Sequence, residues 1–358
     1  MTRLEAGLGI AMALAFAAEH ARRWRSIQPL EEPPTCDWQP PVHGPRVSFL
    51  VPAWNAANDI VPFVRAFQGL NYPNKELILC AGGADGSLDL AHNCSEAGVI
   101  VLEQHPGEGK QRALHRCYAA STGDVIYLTD ADSRPTSAVV NNLLRHIVDD
   151  GASAVTGASR PLDSQVGNRL IRAQWSQDRL MGATPRPATG IHGCHAALTR
   201  ETVEAAGAFH DDVPSGTDYA LAKEVIRAGR KILFVPGDPM PTAYPATVRE
   251  HVRKQRRWLR NEYVLGRNFG AHSEARSALT AIGGACLLPA LLAALLLQVP
   301  LSAVSCLLLF VHPLLNRVGR MRRAGLSISP LGSLQHYLAV QVACLLAGFD
   351  ILRGRAEW

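Results

Sequence analysis

The sequence predicts an α/β domain built on a mostly parallel sheet, followed by α-helices that cross a membrane. Three observations predict it. Short apolar runs alternate with helical patterns over residues 46–240. No charged residue occurs for forty positions, 277–316. Two basic blocks flank that stretch: residues 249–276 carry eight basic and three acidic side chains, and Arg317, Arg320, Arg322 and Arg323 close it.

The apolar runs are VSFLV at 47–51, LILC at 77–80, VIVL at 99–102, VIYLT at 125–129, AVT at 154–156 and ILFV at 232–235. Helical patterns lie between and beside them at 59–69, 109–121, 136–149, 165–181, 200–206 and 219–229. Strands spaced by helices of about 10–15 residues imply a parallel sheet with helices on both faces. In such sheets ligands sit at the carboxyl ends of the strands. The 358 residues sum to +5, yet residues 44–248 sum to −3, so a nucleic-acid partner is not expected. Eight cysteines without a Cys-x-x-Cys pair exclude a zinc ribbon or a disulfide framework and suit a reducing compartment.

A helix needs about 20 apolar residues to cross the hydrocarbon layer. Residues 278–297 fit one crossing, Gln298-Val299-Pro300 makes a turn, and 301–315 make a shorter second one. A third charge-free stretch, 324–349, holds Gln335, His336 and Gln341, and spans or lies at the interface. The arginines at 317–323 mark a cytoplasmic loop by the positive-inside rule. Residues 4–18 resemble a signal peptide, but Arg22, Arg23 and Arg25 suit a short anchor better. The expected organisation is an anchor at 1–27, a Pro-rich linker at 28–45, a cytosolic domain at 46–240, interfacial basic helices at 241–276 and transmembrane helices at 277–358. Arg outnumbers Lys 31 to 5, which points to a bacterial source and thus a bacterial plasma membrane.

Six polar clusters fall where the sheet model puts ligands. Pro52-Ala53-Trp54-Asn55 follows the first strand, and Asp85-Gly86-Ser87-Leu88-Asp89 follows the second. The second also reads as a turn with Asp89 capping a helix. Gly107-Glu108-Gly109-Lys110 has the look of a phosphate loop, but Gln111 stands where the hydroxyl should be. No Gly-x-Gly-x-x-Gly follows the first strand, which argues against a dinucleotide oxidoreductase. Asp130-Ala131-Asp132 ends the fourth strand; a bend there can aim one carboxylate at a ribose and the other at Mg²⁺ or Mn²⁺, which take hard oxygen ligands. Asp218 opens a helix and reads either as a cap or as a reacting carboxylate. Lys254-Gln255-Arg256-Arg257-Trp258 lies in a basic amphipathic segment, the pattern of an interfacial anchor with Trp at the headgroups.

In order, these clusters resemble the family-2 glycosyltransferases over about residues 46–276, and the apolar tail is similar to that of ceramide glucosyltransferases and of cellulose and hyaluronan synthases. The resemblance implies a GT-A, Rossmann-like nucleotide-diphospho-sugar transferase domain with a C-terminal α-helical transmembrane region. It implies that Ala53, Asn55, Asp85, Lys110, Asp130, Ala131 and Arg257 meet the nucleotide sugar, a UDP-sugar, and that Asp132 carries the metal. Asp218 would be the catalytic base, with Gln255 and Trp258 at the acceptor. Departures are Lys254 at the first Gln position of the interface motif, Thr217 before the base and His115 for an Asn. The implied activity is inverting transfer of a sugar to a membrane lipid. A processive polysaccharide synthase and a non-catalytic nucleotide-sugar binder are the other readings.

Overall fold

The computed structural model describes residues 3–31, 35–95, 98–179, 185–210, 213 and 215–354. Pro33-Pro34 of the linker and the last two residues of the helical pattern at 165–181 lie outside them. The chain forms two compact units: a sheet unit of Glu31–Ser164 and Met181–Tyr244, and a helical unit of Met1–Leu30, Gln165–Leu180 and Pro245–Ala356.

In chain order, α1 (Arg3–Arg25) belongs to the helical unit, and the sheet unit begins with β1 (Val47–Trp54), α2 (Ala57–Gln68), β2 (Lys75–Gly82), α3 (Ser87–Asn93) and β3 (Val99–Glu103). It continues with α4 (Gly109–Ala120), β4 (Val125–Leu128), α5 (Ser137–Val148) and β5 (Ala154–Pro161). After α6 (Arg169–Asp178) of the helical unit come β6 (Arg186–Ala188), β7 (Ala196–Thr199), α7 (Arg200–Ala205), α8 (Thr217–Arg227) and β8 (Ile232–Thr242).

The eight strands order as β3-β2-β1-β4-β7-β5-β8-β6. Neighbours β1–β2, β2–β3, β1–β4 and β5–β8 are parallel, whereas β7 runs antiparallel to β4 and β5, and β6 to β8. Six of the eight strands run one way, so the sheet is mostly parallel, and the two that oppose them, β6 and β7, are ones that the apolar pattern does not show. Period-2 alternation along β1 sends Phe49 and Val51 into one core layer with Phe63, Phe67 and Tyr127, and Leu50 into the opposite layer with Leu114, Cys117 and Ile126. Pro52 lies inside β1, two residues short of where the strand ends its pairing with β2 at Trp54. Beyond Leu50, β1 pairs with β2 alone, so a residue without an amide is tolerated there.

The helical unit adds α9 (Val248–Asn268), α10 (His272–Ala285), α11 (Leu287–Leu296), α12 (Pro300–Arg323) and α13 (Pro330–Leu352). A reciprocal capping box of Thr247 and Glu250 starts α9. Pro289 cannot donate to the carbonyl of Ala285, and the break between α10 and α11 falls there. Three helices are long and apolar enough to cross a membrane: His272–Leu296, Pro300–Arg323 and Pro330–Leu352. The third stretch is therefore a full-length candidate, and the second is longer than its apolar run of 301–315. The first two keep most of their apolar surface uncovered, with Leu296 83% and Leu309 58% exposed, as lipid-facing helices do. Among the described residues all eight cysteines are free thiols.

Candidate active site

At the end of β1 the buried Ala53 leads to Asn55, whose backbone is left-handed (φ 52°). Asn tolerates that conformation better than other side chains. Its N–H donates to the Gly82 carbonyl at 2.9 Å, and its Oδ1 accepts from the Ala84 amide at 3.0 Å. Gly83 is required in that turn: at φ 116° a Cβ would sit 2.2 Å from Asn55 Oδ1. Asp85 closes the same turn. Its Oδ1 accepts from the Ser87 hydroxyl at 2.6 Å and amide at 3.1 Å, and its Oδ2 from the Ala57 amide at 3.0 Å. These donors, the Ser87 hydroxyl first, hold its carboxyl below the usual carboxylate range. The cap of α3 is Gly86 and not Asp89, which lies in the first turn of the helix.

The Asp-Ala-Asp turn after β4 separates its two carboxylates. Asp130 Oδ1 is 2.5 Å from Lys110 Nζ, in the first turn of α4. Asp132 Oδ1 accepts from the Thr242 hydroxyl at 3.1 Å, and its carbonyl accepts from the Ala243 amide at 3.2 Å. Ala131 between them is buried in the sheet core. Arg134 braces the turn, donating to the Ala131 and Ser133 carbonyls and pairing with Asp59 at 2.7 Å.

Asp218 enters the same neighbourhood from α8, which starts after Gly216 in a left-handed turn (φ 83°). A Cβ placed on Gly193 would lie 3.1 Å from Asp218 Cβ and 3.4 Å from Lys110 Nζ, so Gly193, Asp218 and Lys110 meet at one point. Burial opposes the Lys110 charge, but Asp130 and Asp218 outweigh it and push its pKa above the ordinary lysine value. The cluster of one Lys and two Asp carries −1, and Asp132 brings the local sum to −2.

Sequence reasoning missed the segment that carries Gly193. The His192-Gly193-Cys194-His195 run enters β7 and is held on β5: the His192 amide donates to Thr156 Oγ1 at 2.8 Å, and the Gly157 amide to the His195 carbonyl at 2.9 Å. His195 Nδ1 is 2.7 Å from the Tyr127 hydroxyl inside the sheet. Burial, with His192 beside it, lowers its pKa to about 3, so the ring is neutral. The signal was the paired His flanking Gly-Cys.

Gln255, Arg257 and Trp258 lie on α9 of the helical unit. Arg257 and Trp258 are exposed, and Lys254 Nζ stands 4.8 Å over the Trp258 ring, so the departure at Lys254 makes a cation–π pair one turn away. His115 Nδ1 donates to the Ala208 carbonyl at 3.1 Å, and its ring lies tilted against that of His210, 4.1 Å between centroids. Thr217 is buried as the first residue of α8.

Comparison with known proteins agrees with this geometry. Residues 48–206 match the family model described as glycosyl transferase family 2. The protein named "Probable glycosyltransferase YdaM" of Bacillus subtilis (strain 168) is 30% identical over 238 residues, 62% of this chain and 56% of the relative. Glycosyltransferase AglE of Haloferax volcanii is 22% identical over 195 residues, 53% of this chain and 64% of the relative. The chain thus spans less than two thirds of those relatives' lengths. The solved structure of the mannosyltransferase PcManGT from Pyrobaculum calidifontis, in complex with GDP-Man and Mn²⁺, aligns over 98% of this chain and 99% of its own, with a TM-score of 0.57 and 21% identity. That likeness gives the fold, a GT-A sheet core carried with C-terminal apolar helices. The stretch that matches the glycosyl transferase family 2 model, residues 48–206, runs from β1 through α7.

Proposed function

We propose that the protein is an inverting, divalent-metal-dependent glycosyltransferase that moves a sugar from a nucleoside-diphosphate sugar to a membrane lipid. The observation that supports it most is the convergence of Lys110, Asp130, Asp218 and Gly193 within the sheet unit. An acceptor hydroxyl is a poor nucleophile. Asp218 takes its proton as oxygen bonds to the anomeric carbon and the bond to the diphosphate breaks, a contribution of about 10²–10⁴-fold. A single displacement inverts the anomeric centre. Asn55 and Asp85 shape the nucleotide end, with Ala53 and Ala131 forming its small-residue floor, while Lys110 faces the diphosphate's charge.

Asp132 supplies hard oxygens that suit Mg²⁺ or Mn²⁺, and among the described residues no set of three or more His, Cys, Asp or Glu forms a closed protein cage. One carboxylate leaves the remaining positions for diphosphate and water, and the local sum of −2 requires a cation before a diphosphate settles. The metal, held by Asp132 beside Asp130, would neutralise charge on the leaving diphosphate.

For the acceptor, Gln255 and Trp258 sit on the basic helix α9 that precedes the first span. With two spans between them, residues 249–276 and 317–323 fall on one side, the cytoplasmic one by their arginines. We place the protein in a bacterial plasma membrane with the sheet unit facing the cytoplasm and α1 as a further anchor. A UDP-sugar is the first donor to test. Few spans leave little room for a polysaccharide conduit, so the product is a glycolipid of one or a few sugars. Purified protein, a panel of nucleotide sugars and total membrane lipid, read by mass spectrometry, test this. Asp218→Asn should keep donor binding and lose transfer at least a hundredfold. More than about a tenth of the wild-type rate refutes the base, and a long polymer refutes the lipid product.

A further inference from the structure

Inside the helical unit lies a group of polar side chains that the transfer reaction does not use. Arg317 of α12 is 7% exposed, His336 of α13 3% and His251 of α9 0%. Arg317 Nη1 donates to His336 Nε2 at 3.1 Å, and the two imidazole rings are 4.5 Å apart. A guanidinium only donates, so His336 Nε2 is the acceptor and the ring proton sits on Nδ1. That Nδ1, the Nε of Arg317, the Nε of Arg320 and both ring nitrogens of His251 are buried and have no hydrogen-bond partner.

Buried N–H groups are almost always satisfied, and a buried charge is costly unless something compensates it. Here the neighbouring charges have one sign. Those acting on His251 are Arg317 and Lys254, and the one cation acting on Arg317 is Arg320. The acidic residue of α13, Asp350, is taken by Arg256 at 2.6 Å. Burial first, then these two cations, bring the His251 pKa down to about 4, so it offers one N–H while neutral. Unpartnered N–H groups on three helices (His251, Arg317 Nε, Arg320 Nε and His336 Nδ1) outnumber the free lone pair on the second His251 nitrogen, and a guanidinium fork matches a tetrahedral oxyanion.

We propose that Arg317, His336 and His251, with Arg320 at the edge, form a binding site for a phosphate group within the helical unit. The chemistry is shared by a phospholipid headgroup and by free phosphate. The site stands apart from the transfer reading, since none of its residues takes part in that reaction.

The test uses the full chain, delipidated in detergent, with melting temperature read against inorganic phosphate and against chloride at equal ionic strength. Phosphate should raise the melting temperature saturably. Arg317→Gln and His336→Gln should each weaken apparent affinity at least tenfold. Without phosphate, Arg317→Gln should melt no lower than wild type, because it removes an uncompensated buried charge; His336→Gln tests the site independently if it does not. In a second arm the protein sits in phosphatidylglycerol nanodiscs. If the phosphate response disappears there, and native mass spectrometry finds phosphatidylglycerol retained by wild type but not by the variants, the occupant is the headgroup. If the response persists, it is free phosphate. A wild-type protein that responds to neither probe beyond chloride, or variants that respond as strongly as wild type, overturn the site.

Discussion

A methyl group at Gly193 probes how tightly the reacting carboxylate must be held. In Gly193→Ala the new Cβ falls 3.1 Å from Asp218 Cβ, 3.5 Å from Asp218 Cγ and 3.4 Å from Lys110 Nζ. Non-bonded carbons rest about 3.5–4.0 Å apart, so Asp218 has to retreat by about half an ångström. The lysine can swing aside, but α8 cannot follow freely, since Ala220, Leu221 and Ala222 behind Asp218 are buried. A displacement of about 1 Å at a reacting group costs about 10²-fold in rate, so half of that costs about tenfold. Overpacking of this size destabilises by about 1 kcal/mol, which leaves the protein folded. Release of nucleoside diphosphate by purified protein should therefore fall about tenfold, while donor affinity measured by titration changes little. An unchanged rate with an unchanged melting temperature would refute the placement of Asp218 at the reaction centre. A rate loss fully explained by unfolding would refute the displacement argument.

The remaining expectations need simpler perturbations. Asp132→Ala should weaken donor binding in the presence of Mg²⁺ or Mn²⁺ at least tenfold, and chelator should abolish transfer; activity indifferent to chelator would remove the metal from the Asp-Ala-Asp turn. His195 has its pKa lowered from 6.5 to about 3, so between those values the unfolded chain binds the extra proton and stability falls as pH falls. From pH 6.5 to 5 the loss is about 2 kcal/mol, His251 adding in the same direction, and His195→Gln should shrink it in denaturant melts at the two pH values; equal losses in both proteins would contradict the argument. For topology, cysteines replacing the exposed Arg267 and Arg322, in a background where Cys36, Cys94, Cys194, Cys286 and Cys306 are Ser, should both react with a membrane-impermeant reagent only after the cells are permeabilised. Cys117 is buried and serves as an unreactive control.

Legibility of the sequence followed the physics of burial. Strands β1 to β5 and β8 announce themselves because strands covered on both faces are continuous aliphatic runs. In β7 the run is Ala-Ala-Leu-Thr, four residues with little β-branching, and it reads as nothing in particular although Ala196, Ala197 and Leu198 are fully buried at the centre of the sheet. The loss mattered for the site, since β7 carries in the loop that brings Gly193 to Asp218 and Lys110. The pattern at 165–181 shows an amphipathic helix but not its partner: an apolar stripe fits a sheet or a helix equally, and α6 joins the helical unit.

The site motifs were legible as chemistry and only partly as geometry. By residue type Asn55 and Asp85 read as ligand residues, yet the hydrogen bonds they make here knit the two strand ends together through Ala84, Ala57 and Ser87. The same amide and carboxylate groups that suit a nucleotide also suit a tight turn, so residue type cannot separate the two roles. Asp130-Ala131-Asp132 is the instructive contrast. The alternation of polar, small apolar and polar residues already contains the split between the carboxylates. Ala131 is drawn into the core at 4% exposure, and that anchor fixes the backbone between its neighbours. One carboxylate turns to the lysine of α4 and the other to the hydroxyl of β8, and the two acids take different work because the residue between them is buried.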